Sequence, residues 1–333
     1  MHLELVVPAL FHAPFPTHAA PSLPALELLL ARGRSTHGEA GNPEAWLGNA
    51  FGLEEDGVPA GALTAFAGGI APGPQSWLRA DPVHLRADRD RLILIPSHAF
   101  SITAAEAQAL ADALEPLLVG RFALFPLQPG QWCLRIEHGE ESAGSSSAPI
   151  EIAGADVDPH LPPRQWLPLL TEIQMALYDH PVNTAREARG DPVINSVWLW
   201  GAGKLPAASG PWQSVNADDP VAIGFGRLAG MRHRAPGAGA REWLERAPED
   251  GRHLVMLDNL RGARALGDVA AAAQRLQALE EKWFAPLLAA LKSGRLGMLT
   301  LHVPDAGASF EAARGDLRHF WRRPRPLNTY TAA

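Results

Sequence analysis

INSVWLWGAG, residues 194–203, is the stretch on which the reading of the fold turns. Trp198 and Trp200 alternate along an apolar run that reads as a buried strand, and the run stops in Gly201-Ala202-Gly203 before Lys204 and Pro206. Strand alternation puts both indoles on one face, where aromatic side chains more often fill a core than floor a ligand site. A strand ending in small residues lets backbone come close to whatever lies beyond its carboxyl end, which is where open α/β sheets place ligands.

Working outward, the last third of the chain keeps a strand–helix rhythm. Pro220 to Ala229 reads as a small-residue helix, started by Asp219 as cap and Pro220 in the first turn. His253 to Leu257 is a short apolar strand, Asp268 to Ser293 predicts one long amphipathic helix, and Leu296 to Val303 a last buried strand. At the other end, Leu3 to Leu10 reads as a buried strand and Leu23 to Arg32 as a helix stopped at Gly33. Residues 33–45 read as a loop, Trp46 to Phe51 as a short helix and Ala60 to Gly69 as a short apolar segment. Strands alternating with helices predict an α/β fold with a mostly parallel sheet flanked by helices.

The texture changes at Trp77. WLRADPVHLRADRDRLILI alternates on both sides of the Ala87–Asp90 turn and predicts a β-hairpin. Thr103 and Glu106 stand in capping-box spacing ahead of a helix with an apolar face at Ala107, Leu110, Ala111, Leu114, Leu117 and Leu118. Phe122 to Phe125 and Trp132 to Ile136 read as strands, EESAGSSSA (140–148) as a solvated loop, and Gln165 to Leu177 as an amphipathic helix. Residues 77–188 therefore read as an inserted α+β subdomain, and residues 1–76 with 189–333 as the discontinuous core.

Composition excludes several classes. The 333 residues are 47% hydrophobic and 20% charged, ordinary for a globular chain. A net charge of −7 argues against nucleic acid as a partner. The basic stretch RHFWRRPRP (318–326) reads as solvated surface on this acidic chain. Cys133 is the only cysteine, so no disulfide within the chain and no multi-cysteine zinc site is possible. No apolar stretch is long enough to span a bilayer, and MHLELVVPALFHAPF lacks the positive start of a signal peptide. The expectation is a cytoplasmic chain with no membrane partner.

Several blocks carry a resemblance. WLRADPVHL, SHAFSITAAEAQALADAL, DPH (158–160) with HPVNTAREARGDPVINSVWLWGAG, and DPVAIGFGRLAGM occur in the order found in the archaeal-type 2,3-bisphosphoglycerate-independent phosphoglycerate mutases of the alkaline phosphatase superfamily. Most of the chain resembles, more narrowly, a proteobacterial regulatory group of the RpfE type. The resemblance implies an alkaline-phosphatase-like core with an inserted domain. It also implies two metal ions held by Asp and His, and a hydroxyl nucleophile. This sequence departs at each of those places. The first strand ends Val7-Pro8-Ala9-Leu10-Phe11 without a carboxylate, and the nucleophile loop is Ala40-Gly41-Asn42-Pro43-Glu44 without a hydroxyl. Arg261 and Ala265 stand where a late Asp and His are expected, and Leu301-His302-Val303-Pro304 replaces the last Asp–His pair. The implied protein keeps the fold, takes no cofactor or metal, and binds a phosphorylated small molecule or a regulatory protein partner. The alternative is an active phosphomutase or phosphohydrolase with ligands relocated to His12, His18, His37, Asp258, His302 and Asp305; surface histidines are the commoner reading of the first three.

The ligand-binding candidates follow. Arg79, His84 and Arg86 alternate along one hairpin strand, read as one face with Asp81 displaced from it, and arginines there suit a phosphate or carboxylate. A solvated face with local ion pairs is the commoner situation for such a strand. In the resembled family the insert's arginine helps to bind phosphoglycerate. Asn183 and Arg186, three apart on a helical turn, match the family's Asn-x-x-Arg segment. Gly201, Gly203 and Lys204 close the run, and Asp258 follows a buried strand, as a site residue or equally as a cap. The cleft expected lies between the insert's arginines and the carboxyl ends of the core strands.

Overall fold

A computed structural model describes residues 1–11, 15, 20–53, 57–89, 91–137, 147–248 and 250–330. His12, His18, Asp90 and most of the 140–148 loop lie outside the described residues. The chain forms β1 (His2–Val6), α1 (Pro24–Arg32), β2 (Arg34–His37), α2 (Pro43–Ala50), α3 (Ala60–Ala67), β3 (Trp77–Asp88) and β4 (Arg91–Pro96). There follow α4 (Ala104–Leu118), β5 (Phe122–Gln128), β6 (Gln131–Ile136), α5 (Leu167–Tyr178), α6 (Pro181–Arg189) and β7 (Ser196–Gly203). The remainder is β8 (Ser214–Asn216), α7 (Pro220–Leu228), β9 (Arg232–Arg234), α8 (Ala240–Arg246), β10 (Arg252–Met256), α9 (Arg261–Ala265), α10 (Val269–Leu279), α11 (Ala285–Ser293), β11 (Met298–Val303) and β12 (Ala308–Ala313). No helix among the described residues is long and apolar enough to cross a membrane.

The chain divides into two compact units, one of Met1–Gly52 with Ala208–Ala333, the other of Leu53–Ala207. The first carries a seven-stranded sheet ordered β2-β12-β11-β1-β10-β8-β9. β1 runs parallel to both β10 and β11, and β8 parallel to β10 and β9. Only β12 runs antiparallel to its neighbours, β11 and β2. The alternation of β1 sets Leu3, Leu5 and Val7 against Leu26 and Leu29 of α1, Leu276 of α10 and Leu287 of α11. Each such side chain contributes about 1.5–3 kcal/mol by leaving water.

The helix expected over Asp268 to Ser293 runs without a break from Val269 to Ser293, widened at one turn. A π turn at Glu280–Phe284 joins α10 to α11. The buried Glu280 carboxylate, at the start of this turn, reaches the start of α1, where it accepts from the backbone N–H of Ala25 (2.7 Å) and Leu26 (3.1 Å). No side chain of its own caps α1, so this distant carboxylate satisfies its first donors and meets its positive end.

The second unit is an antiparallel sheet ordered β4-β3-β6-β5, with β7 also pairing with β3. The hairpin of β3 and β4 and the capping box of α4 form as the sequence predicts. The run 194–203 is the main correction. Its strand, β7, pairs antiparallel with β3 from Ala80↔Leu199 to Val83↔Ser196, so it belongs to the second unit and not to the parallel core. The unit accordingly begins at Leu53 and ends at Ala207, outside the expected limits of 77 and 188. Its core gathers Leu78, Leu110, Leu114, Trp132, Ile173 and Leu199.

Candidate functional site: a buried arginine between carboxylates

In a mostly parallel sheet, side chains just beyond the strands' carboxyl ends come together without belonging to the core. Beyond β10 stands Asp258, and one turn further, at the start of α9, Arg261. The Arg261 guanidinium is buried. Its Nη1 and Nη2 donate to Oε1 (3.0 Å) and Oε2 (3.3 Å) of Glu44, and its Nη1 also donates to Asp258 Oδ2 (3.2 Å). Glu44 reaches this point because Asn42 caps α2, its Oδ1 accepting from Ala45 N at 2.7 Å, which fixes the helix's first turn. Asp219 caps α7 in the same way through Ala222 N (2.8 Å), with Pro220 in the first turn as expected.

The electrostatics follow from burial. Loss of water pushes the Asp258 carboxyl up to about 7; Arg261 pulls it back, while Asp219 and Glu44 push it further up. Burial alone lowers the Arg261 pKa, but Glu44 and Asp258 outweigh it and raise it above its ordinary value. Asp258 Oδ1 is buried with no hydrogen-bond partner among the described residues. The cluster thus holds a permanent cation, a bidentate carboxylate, and a carboxyl that changes charge near neutrality.

The end of β1 carries no carboxylate either. Ala9 sits at φ 58°, in the left-handed region that favours glycine. Its N–H donates to Asp305 Oδ1 at 2.7 Å, so the carboxylate that follows β11 holds this strained turn. His302 is engaged at both ring nitrogens, Nε2 with Glu4 Oε2 (3.2 Å) and Nδ1 with Ser309 Oγ (2.8 Å), and its ring lies 4.9 Å from that of Trp46. Glu4 also accepts from Arg252 at 2.6 Å. Burial raises the Glu4 carboxyl, but the hydrogen bonds from His302 and Arg252 together hold it down to about 2. His37 is exposed on β2 at the sheet's edge. The described members of the relocated-ligand set, His37, Asp258, His302 and Asp305, therefore sit in separate surroundings.

This bears on the metals that the family resemblance implies. Among the described residues no three or more His, Cys, Asp or Glu side chains are grouped to hold a metal ion. More tellingly, both oxygens of Glu44 and Oδ2 of Asp258 are engaged by a guanidinium, and Oδ1 of Asp305 by a backbone N–H. A buried cation between the carboxylates repels a second one. The described donors do not fit a two-metal centre.

In the second unit the expected ligand residues are placed as follows. Arg79 and Asp81 are 5% and 3% exposed and form an ion pair of 2.6 Å. Asp81 also accepts from Trp200 Nε1 (2.8 Å) and Trp132 N (3.3 Å), and Arg79 donates to Thr64 Oγ1 (3.2 Å) and lies over the Trp200 ring. His84 and Arg86 do not share that face. With β3 in regular register from Arg79 onward, odd and even residues point to opposite sides, so Arg79 and Asp81 form one pair and His84 and Arg86 the other. His84 is half-buried, with Nδ1 2.9 Å from Val193 O, while Arg86 is exposed.

Asn183 bridges Leu177 O and Ile194 O through Nδ2 and accepts from Ile194 N, all at 2.8 Å. Arg186 donates to Pro192 O (2.8 Å) and pairs with Glu106 (3.2 Å). Gly201 and Gly203 take φ +60° and +150°, and a Cβ on them would meet Ala60 at 2.5 Å and Pro59 at 2.8 Å. Their small size admits the start of α3. Lys204 is exposed. Sequence reasoning missed Glu44 as a partner and the Glu4–His302–Ser309 chain. A carboxylate in a capped first turn was the one available sign of the former.

Fold and donor set together define a class: an α/β chain with a mostly parallel central sheet and a second, antiparallel unit. No protein-family model matches the chain. In sequence it is distantly homologous to the cofactor-independent phosphoglycerate mutases. A stretch of 133 residues, 38% of the chain, is 29% identical to a probable 2,3-bisphosphoglycerate-independent phosphoglycerate mutase of Geobacter sulfurreducens, and spans 33% of that protein's length. In structure the chain shares its fold with the PH0037 protein of Pyrococcus horikoshii, with a TM-score of 0.57 and 13% identity over 94% of this chain and 87% of that one. The cofactor-independent phosphoglycerate mutase of Thermoplasma acidophilum aligns over 100% of this chain and 94% of its own, at 18% identity and a TM-score of 0.49.

Proposed function

We propose that this chain is a pseudoenzyme related to the cofactor-independent phosphoglycerate mutases, a regulatory protein of the RpfE type that binds a phosphorylated small molecule or a protein partner. The observation that carries the reading is Arg261. A guanidinium bracketed by Glu44 and Asp258 supplies, as a fixed side chain, the positive charge that a metal-dependent phosphoryl transferase takes from its ions. It can neutralise carboxylates, but it cannot activate a hydroxyl nucleophile by coordination. The distant homology and the absence of a carboxylate at the end of β1 support the same reading.

The test is a phosphoglycerate mutase assay with added manganese, alongside elemental analysis of the purified protein. The expected result is no turnover and no stoichiometric metal; turnover with two bound ions refutes the reading. For the binding role, phosphorylated three-carbon acids are expected to raise the melting temperature. Arg86→Ala is the informative variant, because Arg86 is exposed whereas Arg79 and Arg186 hold buried networks. A shift unchanged in that variant removes Arg86 from the ligand site.

A further inference from the structure

A second polar site lies at the opposite end of the strands from Asp258. β8 and β9 are parallel and in register, Ser214↔Arg232 and Asn216↔Arg234, and His253 of β10 pairs with Ser214. Residues two apart on a strand share a face, so Arg232, Arg234, Ser214, Asn216 and His253 all point to one side of the sheet's edge. α8 forms the facing wall, with Trp243, Glu242 and Arg246. Together these residues line a cavity of about 40 Å³, room for a few water molecules or one compact oxyanion.

The charges inside it do not balance. Glu242 is committed to Arg246 (2.6 Å) and to Ala238 N (2.7 Å). Arg232 and Arg234 are exposed, and no carboxylate among the described residues pairs with either. The remaining polar groups satisfy one another. Ser214 Oγ lies 2.9 Å from His253 Nδ1, and Asn216 Nδ2 donates to Ser214 Oγ (3.1 Å) and Leu254 O (3.2 Å). The donors left over belong to two guanidinium forks at the mouth of the cavity.

We propose that this pocket, between β8, β9 and α8, is a phosphoryl-binding site in which Arg232 and Arg234 hold the dianion. Two forked cations match the charge and the several acceptor oxygens of a phosphate better than those of a single carboxylate. The shared chemistry is the phosphoryl group, whether free phosphate or a small phosphate monoester. The site goes beyond the reading of the carboxyl-end cluster and stands or falls apart from it, since metal content and mutase turnover do not touch it.

The test is calorimetric titration with inorganic phosphate, and separately with glycerol 3-phosphate, at fixed ionic strength, read alongside the indole N–H resonance of Trp243 assigned with Trp243→Phe. Saturable binding that shifts this resonance is expected. Arg232→Gln and Arg234→Gln are each expected to raise Kd, and the double variant by about tenfold or more. Both positions are exposed on an edge strand; the single variants, checked by melting temperature, carry the test if the double variant does not fold. Tighter binding of the monoester than of phosphate assigns the site to metabolites, and the reverse to free phosphate. Non-saturable heats, an unchanged Kd in both single variants, or loss of binding only in Arg86→Ala overturns the proposal.

Discussion

Arg261→Met tests whether the buried guanidinium holds the first unit's strand ends together. The side chain's contacts include three hydrogen bonds to the Glu44 and Asp258 carboxylates, and both it and Glu44 are under a tenth exposed. Methionine fills much of the volume but leaves Glu44 without a counter-charge. Removing one partner of a buried pair costs about 3–5 kcal/mol. Asp258, already titrating at about 7, escapes by taking up a proton, so the loss at neutral pH falls at the lower end, about 3 kcal/mol. For a unit of roughly 150–250 residues that corresponds to a melting point lower by about 6–12 °C. Urea unfolding followed by circular dichroism measures it. Glu44→Gln in the Arg261→Met background is expected to recover at least about half, because the stranded charge is then gone. A loss below about 1 kcal/mol, or no recovery in the double variant, would show that the Arg261–Glu44 pair does not hold the strand ends.

Three further outcomes follow. Asp258 is raised in the folded state, so its stabilising contribution is complete below the ordinary carboxyl range near pH 4 and is lost as pH rises through about 7. Asp258→Asn is expected to flatten that fall in a series of melts; the limit is about 4 kcal/mol, trimmed because roughly a fifth of the side chain stays in water. Asp81→Asn removes the carboxylate that pairs with buried Arg79 in the second unit and is expected to cost about 3 kcal/mol by urea unfolding, with Arg79→Met added in the same chain restoring part of it. At Ala9, φ 58° makes Ala9→Gly neutral or stabilising by up to about 1 kcal/mol and Ala9→Val destabilising by about 2 kcal/mol, again by melting temperature.

Local signals in the sequence were legible where a few neighbouring residues decide the outcome. The hairpin at Trp77–Pro96, the Thr103–Glu106 box and the Asp219–Pro220 helix start are all fixed by side chains within a turn of one another. What stayed hidden depends on partners far along the chain. An apolar run such as 197–200 suits a buried strand of either sheet, and only pairing with β3 decides which. β2, Arg-Ser-Thr-His, is wholly exposed at an edge and carries no apolar alternation to announce it. The π turn at Glu280 serves α1, more than 250 residues earlier, so helical periodicity alone cannot reveal it.

The candidate site divides in the same way. The missing carboxylate at Val7–Phe11 and the arginine at position 261 are plain in the sequence. That Arg261 finds Glu44, 217 residues away, is a product of the fold. Arg79 and Asp81, read as ligand residues at different places on their strand, turn out to be one buried pair, because a strand's period of two is strict.

Anomalous diffraction from crystals grown with excess manganese separates a guanidinium from metal ions at the carboxyl ends of the strands. The expected map has the Arg261 guanidinium between Glu44 and Asp258, with no anomalous peak at the ends of β1 and β10. Two manganese peaks there, with Arg261 displaced from the carboxylates, would contradict it.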